Sequence, residues 1–127
     1  MASEMAEKFM NSLQTIEKEN EVDALVELFS DEASLKRMTH KSYEGKGEAK
    51  QFWQEYLEPF DTISTEFFKV TEDDETVVLE WESKGKLANG HDIDYRGVSS
   101  FDTKGGKVVR FRTYYDSAAF LPEGAEQ

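Results

Sequence analysis

The apolar positions of the chain follow two different periods, and the change falls near residue 60. Before it, Met5, Phe9, Leu13 and Ile16 recur at spacings of four, four and three, which puts them on one face of a helix over about 3–18. Glu4, Glu7, Lys8 and Glu17 take the other side. Asn20 reads as the N-cap of a second helix, with Asp23 three residues on and Val22, Leu25, Val26 and Phe29 as its apolar face. Ser30-Asp31-Glu32 ends that helix, and a short strand follows over about 33–41. Gly45-Lys46-Gly47 breaks the chain, and Glu48 puts negative charge into the first turn of a third helix. That helix carries Phe52, Trp53, Tyr56 and Leu57 on one side and runs to Glu58, where Pro59 stops it.

From Ile63 the pattern becomes that of strands. The segment 63–71 is rich in β-branched and aromatic residues, and Glu72-Asp73-Asp74-Glu75 reads as a turn. Over 76–87 the residues alternate, with Val77, Leu79 and Trp81 on one face and Val78, Glu80 and Glu82 on the other. Asn89-Gly90 is a hairpin signal. The next strand, 91–101, sets Ile93 and Tyr95 against Asp92, Asp94 and Arg96. Lys104-Gly105-Gly106 makes a second hairpin turn, and 107–115 is the last strand. Short turns join these strands, so they pair as an antiparallel meander. Residues 122–127 read as a frayed end. The expected fold is α+β: a strongly curved antiparallel sheet, covered on its concave face by about three N-terminal helices, forming a cone-shaped α+β barrel. Such a cone has an open end suited to a small molecule.

Length and composition narrow the partners. The 127 residues suit a single domain over 1–127, with its core at about 5–120. No Cys is present, which excludes disulfides, thiolate metal sites, iron–sulfur clusters and cysteine nucleophiles. A net charge of −12 repels phosphate backbones and anionic lipid, so nucleic acid and membrane are poor partners. The acids are spread along the chain, as solubility requires. The first residues lack the basic and apolar regions of a secretion signal, and no apolar run reaches membrane-spanning length, so the expectation is a cytoplasmic protein.

Several segments resemble the SnoaL-like, or nuclear transport factor 2-like, superfamily. They are Val22-Asp23-Ala24-Leu25-Val26-Glu27-Leu28-Phe29-Ser30-Asp31-Glu32-Ala33, Tyr43-Glu44-Gly45-Lys46-Gly47-Glu48-Ala49, Leu87-Ala88-Asn89-Gly90, Gly106-Lys107-Val108-Val109-Arg110 and Tyr114-Tyr115-Asp116. The resemblance specifies a fold more than a reaction, because the superfamily holds isomerases, cyclases, dehydratases, epoxide hydrolases, transport adaptors and binders. By register, ketosteroid isomerases would place a Tyr donor near Leu13, a carboxylate base at Arg37 and a second acidic donor near Gly97 or Val98; all three are absent. Limonene-type epoxide hydrolases would place Arg and Asp on the middle strand and Asp on the last, where this chain has Glu80, Glu82 and Thr113.

The resemblance implies a parity for the strands. It turns Leu35, Arg37, Thr39, Glu80, Glu82, Ile93, Tyr95, Phe111, Thr113 and Tyr115 toward the cavity. Val77, Leu79, Trp81, Arg110, Arg112 and Tyr114 then lie on the outer face, where a second copy of the chain would cover them as a homodimer. Alternation alone leaves the opposite parity open, with Trp81 in the core and both glutamates in water. On the first parity Glu82 is the proton-transfer group, Glu80 its neighbour and Arg37 an anion anchor, with Tyr95 and Tyr115 as hydroxyl donors. The alternative is a structural ion pair between Arg37 and a glutamate. Leu35, Thr39, Trp53, Tyr56, Tyr95, Phe111, Thr113 and Tyr115 would line the site, and the dense group Phe52, Trp53, Tyr56, Phe60, Phe67 and Phe68 would supply core and apolar wall. His40 reads as a loop residue at the cavity mouth. His91, Asp92 and Asp94 read as surface, since the strand splits them between faces. The sequence asks for no metal and no cofactor. The expected role is binding of a small, largely apolar organic molecule, with isomerase, cyclase or hydrolase-type acid–base chemistry. The alternatives are a non-catalytic carrier or sensor, and a dimeric interaction module with a filled core.

Overall fold

A computed structural model of the chain describes residues 3–37 and 41–120. The elements run α1 (Glu4–Glu19), α2 (Asp23–Val26), β1 (Phe29–Lys36), β2 (Ser42–Glu44), α3 (Gly45–Leu57), β3 (Phe60–Glu72), β4 (Thr76–Leu87), β5 (Asp92–Lys104), β6 (Lys107–Tyr115) and a closing 3-10 turn at Ser117–Phe120. This is the expected α+β cone, with helices first and the long strands after. Helix α1 starts where Ser3 Oγ accepts the Ala6 N–H at 3.1 Å. It buries Ala6, Phe9, Leu13 and Ile16, the stripe that the sequence spacing predicts.

The second helix departs from expectation. Asn20 is the left-handed C-cap of α1, with φ 55°, and its N–H returns to the Ile16 carbonyl. It therefore does not start a new helix, and α2 is a single turn. The chain is already extended at Phe29, which pairs with Val108, so β1 begins earlier than the polar run Ser30-Asp31-Glu32 suggested.

The six strands lie in the order β2-β1-β6-β5-β4-β3. Strands β3 to β6 form the antiparallel meander, but β1 pairs with β6 in parallel. The expected antiparallel sheet thus has one parallel pair, and it is open, with β2 and β3 at its two edges. No hairpin joins β1 to β6, so no short turn dictates their relative direction. Helix α1 packs on β3 and α3 on β1. Between helices and sheet the core is aromatic: Phe9 stacks on Phe101 at 4.6 Å and Phe111 at 5.6 Å, and Trp53 meets Phe111 edge-on at 5.1 Å.

The parity of β4 is decided at its turn. A two-residue Asn-Gly turn would need positive φ at both Asn89 and Gly90 and would pair Ala88 with His91. Only Gly90 has positive φ, at 89°. The Gly90 N–H donates to the Leu87 carbonyl at 2.9 Å, and the Leu87 N–H to the His91 carbonyl at 2.8 Å. The loop is thus three residues long, a type I turn ending in a left-handed glycine. That extra residue pairs Gly85 with Ile93, Ser83 with Tyr95 and Trp81 with Gly97. Directly paired residues share a face, so Trp81 and Ser83 lie on the same side as the inward Tyr95.

Val77, Leu79, Trp81 and Ser83 are all buried under the helices. Glu80 and Glu82 are on the outer face, opposite Val98 and Arg96 respectively. The parity implied by the family resemblance is therefore reversed on β4, although it holds on β5 and β6, where Ile93, Tyr95, Phe111 and Thr113 face inward. The outer face has a different apolar row from the one expected. Phe68 follows the inward Phe67 and points outward, and a bulge between Phe67 and Lys69 leaves Lys69 outside as well and returns Val70 to the core side. Phe68, Val98 and Tyr114 are 60%, 39% and 53% exposed.

Candidate functional site

The concave side encloses a cavity of about 270 Å³. Its apolar wall includes Phe9, Leu13, Phe52, Trp53, Phe60 and Phe111. Phe120, from the closing 3-10 turn, meets the rings of Tyr95, Phe60 and Tyr115 at 4.9, 5.7 and 5.9 Å and completes one end. Of the residues expected at the site, Arg37, Trp53, Tyr56, Tyr95, Phe111, Thr113 and Tyr115 line this cavity. Leu35 is fully buried in the core and is not in the cavity wall. Thr39 and His40 lie outside the described residues. Glu80 and Glu82 are excluded by the three-residue turn, so neither is a carboxylate of this site.

Arg37 is at the edge of the cavity with its charge already met. Its Nη2 donates to the Phe52 carbonyl at 2.8 Å, and its Nη1 is 3.8 Å from Glu55 Oε1. The guanidinium lies over the Phe52 ring, 3.9 Å from the centroid. The Tyr43 hydroxyl donates to Glu55 Oε1. That bond, with help from Gln51, lowers the Glu55 pKa. Arg37 thus forms a structural pair with a glutamate, as the alternative held, but its partner comes from α3 and not from β4.

Glu55 is the carboxylate in the cavity wall, and a second one, Glu17, which the helical pattern assigns to the outside of α1, stands behind the wall and is joined to it through Tyr56 and Thr65. Glu17 follows Leu13 by four residues and so flanks the buried stripe. The Thr65 backbone N–H donates to its Oε1 at 2.9 Å. The Thr65 and Tyr56 hydroxyls each donate to Oε2 at 2.5 Å. Burial pushes the Glu17 pKa above its ordinary 4.5, and the bonds from Thr65 and Tyr56 restrain part of the rise. Burial, and then the Glu17 charge, raise the Tyr56 pKa far above its ordinary range, so Tyr56 keeps its proton. Thr65 Oγ1 also meets Ser83 Oγ at 2.6 Å, and the Tyr95 phenol stands beside Ser83 and Tyr56. Tyr56, Thr65, Ser83 and Tyr95 all line the cavity.

A second buried polar chain crosses the sheet beside the first. Trp81 Nε1 donates to Ser99 Oγ at 2.9 Å, and Ser99 Oγ meets Thr113 Oγ1 at 2.9 Å. Glu17, Thr65, Ser83 and Ser99 were not singled out by sequence. The legible signal for the last two is their place on the inward positions of β4 and β5, once the turn length is known. Among the described residues no cluster of His, Asp and Glu is arranged to hold a metal ion. Asp92 pairs instead with Lys86 at 2.7 Å.

Comparison with known proteins agrees with this architecture. An NTF2-like protein from Anabaena variabilis superposes with a TM-score of 0.82 at 23% identity, over 92% of this chain and 95% of the other. A SnoaL-like polyketide cyclase candidate from a Jannaschia species gives 0.75 at 18% identity, over 94% and 92%. TerC, co-crystallised with polyporic acid, gives 0.75 at 13% identity, over 92% of each chain. No curated protein matches in sequence. The family model for the SnoaL-like domain spans residues 6–111, from the first buried residue of α1 to the middle of β6, and the chain accordingly belongs to the SnoaL-like domain family.

Proposed function

We propose that this protein binds one small, largely apolar organic molecule in the cavity between its helices and its sheet. The observation that carries the reading is the cavity itself: about 270 Å³, with aromatic walls and a few converging hydroxyls. A filled core, as a pure interaction module would have, does not leave such a space. The co-crystallisation of TerC, a protein of the same fold, with polyporic acid supports the same reading. The experiment is calorimetric titration with 2-methoxynaphthalene, a flat probe of suitable size. Saturable binding of one molecule per chain, with a matching rise in Tm, is the expected result. Heats of dilution alone, with an unmoved Tm, for this probe and for its hydroxyl and acetyl analogues 2-naphthol and 2-acetonaphthone would overturn it.

A second reading adds proton transfer, and Glu17 is what favours it. A carboxyl with a raised pKa, hydrogen-bonded to a phenol in the wall of a cavity, is suited to acid–base work. The role assigned to Glu82 on sequence grounds passes to Glu17. We also read the outer sheet face as a homodimer interface. Val98 and Tyr114 are paired across β5 and β6 there, and Phe68 lies on β3 with β4 between, Arg96, Arg112 and Glu82 being on the same face.

A further inference from the structure

Three hydroxyl hydrogens at the Glu17 end of the cavity have an assignable direction. Tyr56 and Thr65 donate theirs to the carboxylate. Thr65 has only one such hydrogen, so in its 2.6 Å contact with Ser83 the donor must be Ser83. Tyr56 and Ser83 are then both committed, and the Tyr95 phenol stands beside them in the same wall. Three hydroxyls thus direct their hydrogens toward one carboxylate, Tyr56 and Thr65 directly and Ser83 through Thr65. The oxygens they leave facing the hollow carry lone pairs.

We propose that the Glu17 end of the cavity is a hydrogen-bond acceptor site, and that the ligand is a flat, apolar molecule carrying a phenolic or enolic hydroxyl that donates to the Tyr56 oxygen. This rests on the small-molecule reading above and names the class of ligand. A neutral hydroxyl suits the site better than a cation, because the Glu17 carboxylate already accepts three hydrogen bonds, Glu55 in the wall is already met by Arg37 and Tyr43, and most of the other lining side chains are apolar or aromatic. The neighbouring stretch of the same sheet face is complementary: the Ser99–Thr113 pair receives the Trp81 N–H and shares one hydrogen, leaving one hydroxyl hydrogen to offer an acceptor on the ligand. Glu17 is the positioning residue, since it touches the ligand only through Tyr56 and the Thr65–Ser83 relay.

The test follows from reversing the relay. In Glu17→Gln the amide oxygen keeps the Thr65 N–H, so the amide nitrogen faces the Tyr56 and Thr65 hydroxyls and donates to them. Their hydrogens then turn toward the cavity, which becomes a donor site. Calorimetric titrations of the full chain with 2-naphthol, 2-methoxynaphthalene and 2-acetonaphthone read this directly. In the wild type, 2-naphthol should bind about tenfold more tightly than 2-methoxynaphthalene. In Glu17→Gln the order should invert, with 2-acetonaphthone the tightest. Tyr56→Phe should bring all three within about threefold of one another, which guards against a misfolded Gln variant. Equal binding of the three probes by the wild type, or a 2-naphthol preference that survives Glu17→Gln, would overturn this inference and leave the pocket reading standing. Failure of all three to bind the wild type would overturn both.

Discussion

The indole of Trp81 occupies the space in which a side chain at Gly97 would stand. A methyl group at position 97 would lie 2.3 Å from Trp81 Cζ2, 2.6 Å from Cη2 and 2.6 Å from the Tyr114 carbonyl oxygen. Glycine at this point of β5 lets the indole lie flat on the sheet and reach Ser99. Gly97→Ala should destabilise the fold by about 2–3 kcal/mol. Trp81→Phe should reduce that cost in a double-mutant cycle without abolishing it, because the Tyr114 carbonyl remains in the way. Urea denaturation of the four proteins measures it, and strict additivity would contradict the contact.

Deleting Ala88 should prevent folding to this structure. The deletion shortens the turn to two residues and reverses the pairing of β4 with β5, which would turn Leu79 and Trp81 outward against the register shown by Ser83 and Tyr95. Loss of the cooperative thermal transition is the expected outcome. Gly90→Ala, which keeps the turn length but strains a φ of 89°, should cost only about 1 kcal/mol.

The pH dependence of stability should carry a sign set by Glu17. Burial raises its pKa in the folded chain, so its contribution is complete below the ordinary value of 4.5 and is lost as pH rises through the folded value. The stability of the wild type relative to Glu17→Gln should therefore fall across that window. Denaturation midpoints of the two proteins at a series of pH values give the difference, and a wild type that gains on the variant as pH rises would refute the sign. Asp102 acts oppositely. Burial pushes its pKa up, but the Thr76 hydroxyl and then Arg112 and Arg110 bring it below the ordinary carboxylate range. Its contribution is lost at acid pH and is common to both proteins.

Arg37→Ala should cost about 1–2 kcal/mol, the sum expected from a stacked guanidinium and a hydrogen bond to a main-chain carbonyl. Arg37→Lys should restore little of this, since an ammonium cannot lie flat over Phe52 and bond its carbonyl together. A thermal shift near zero for Arg37→Ala would show that the side chain makes no such contacts.

Val98→Glu should leave the fold intact and abolish self-association. Val98 sits opposite Glu80 and next to Tyr114 on the outer face, so a carboxylate there would bring like charges together across the proposed interface. Sedimentation velocity of the wild type should show a dimer, and of the variant a monomer; a monomeric wild type would remove the interface.

Much of this could be read without coordinates. The apolar spacing of Phe9, Leu13 and Ile16, and the aromatic loading of Phe52, Trp53 and Tyr56, located the helices and most of the cavity wall. The inward faces of β5 and β6 followed from Ile93, Tyr95, Phe111 and Thr113. The chemistry was harder to read, for two physical reasons. A period-two pattern has no absolute phase, and Asn89-Gly90 is compatible with turns of two lengths, so the glutamates of β4 were exchanged with Trp81 and Ser83. Glu17, for its part, lies at the margin of a helical stripe. Its burial depends on Thr65, from a strand that begins far along the chain, and no local pattern contains that partner.

The ring contacts of Phe120 have one more consequence. Phe9 lies near the start of the chain and Phe120 near the end of the described residues, yet both enclose the same hollow. A nascent polypeptide therefore has no finished chamber until β6 and the turn after it have emerged and docked. Ligand occupancy would thus report the whole cooperative unit, so slower unfolding on binding should extend to helices and sheet alike.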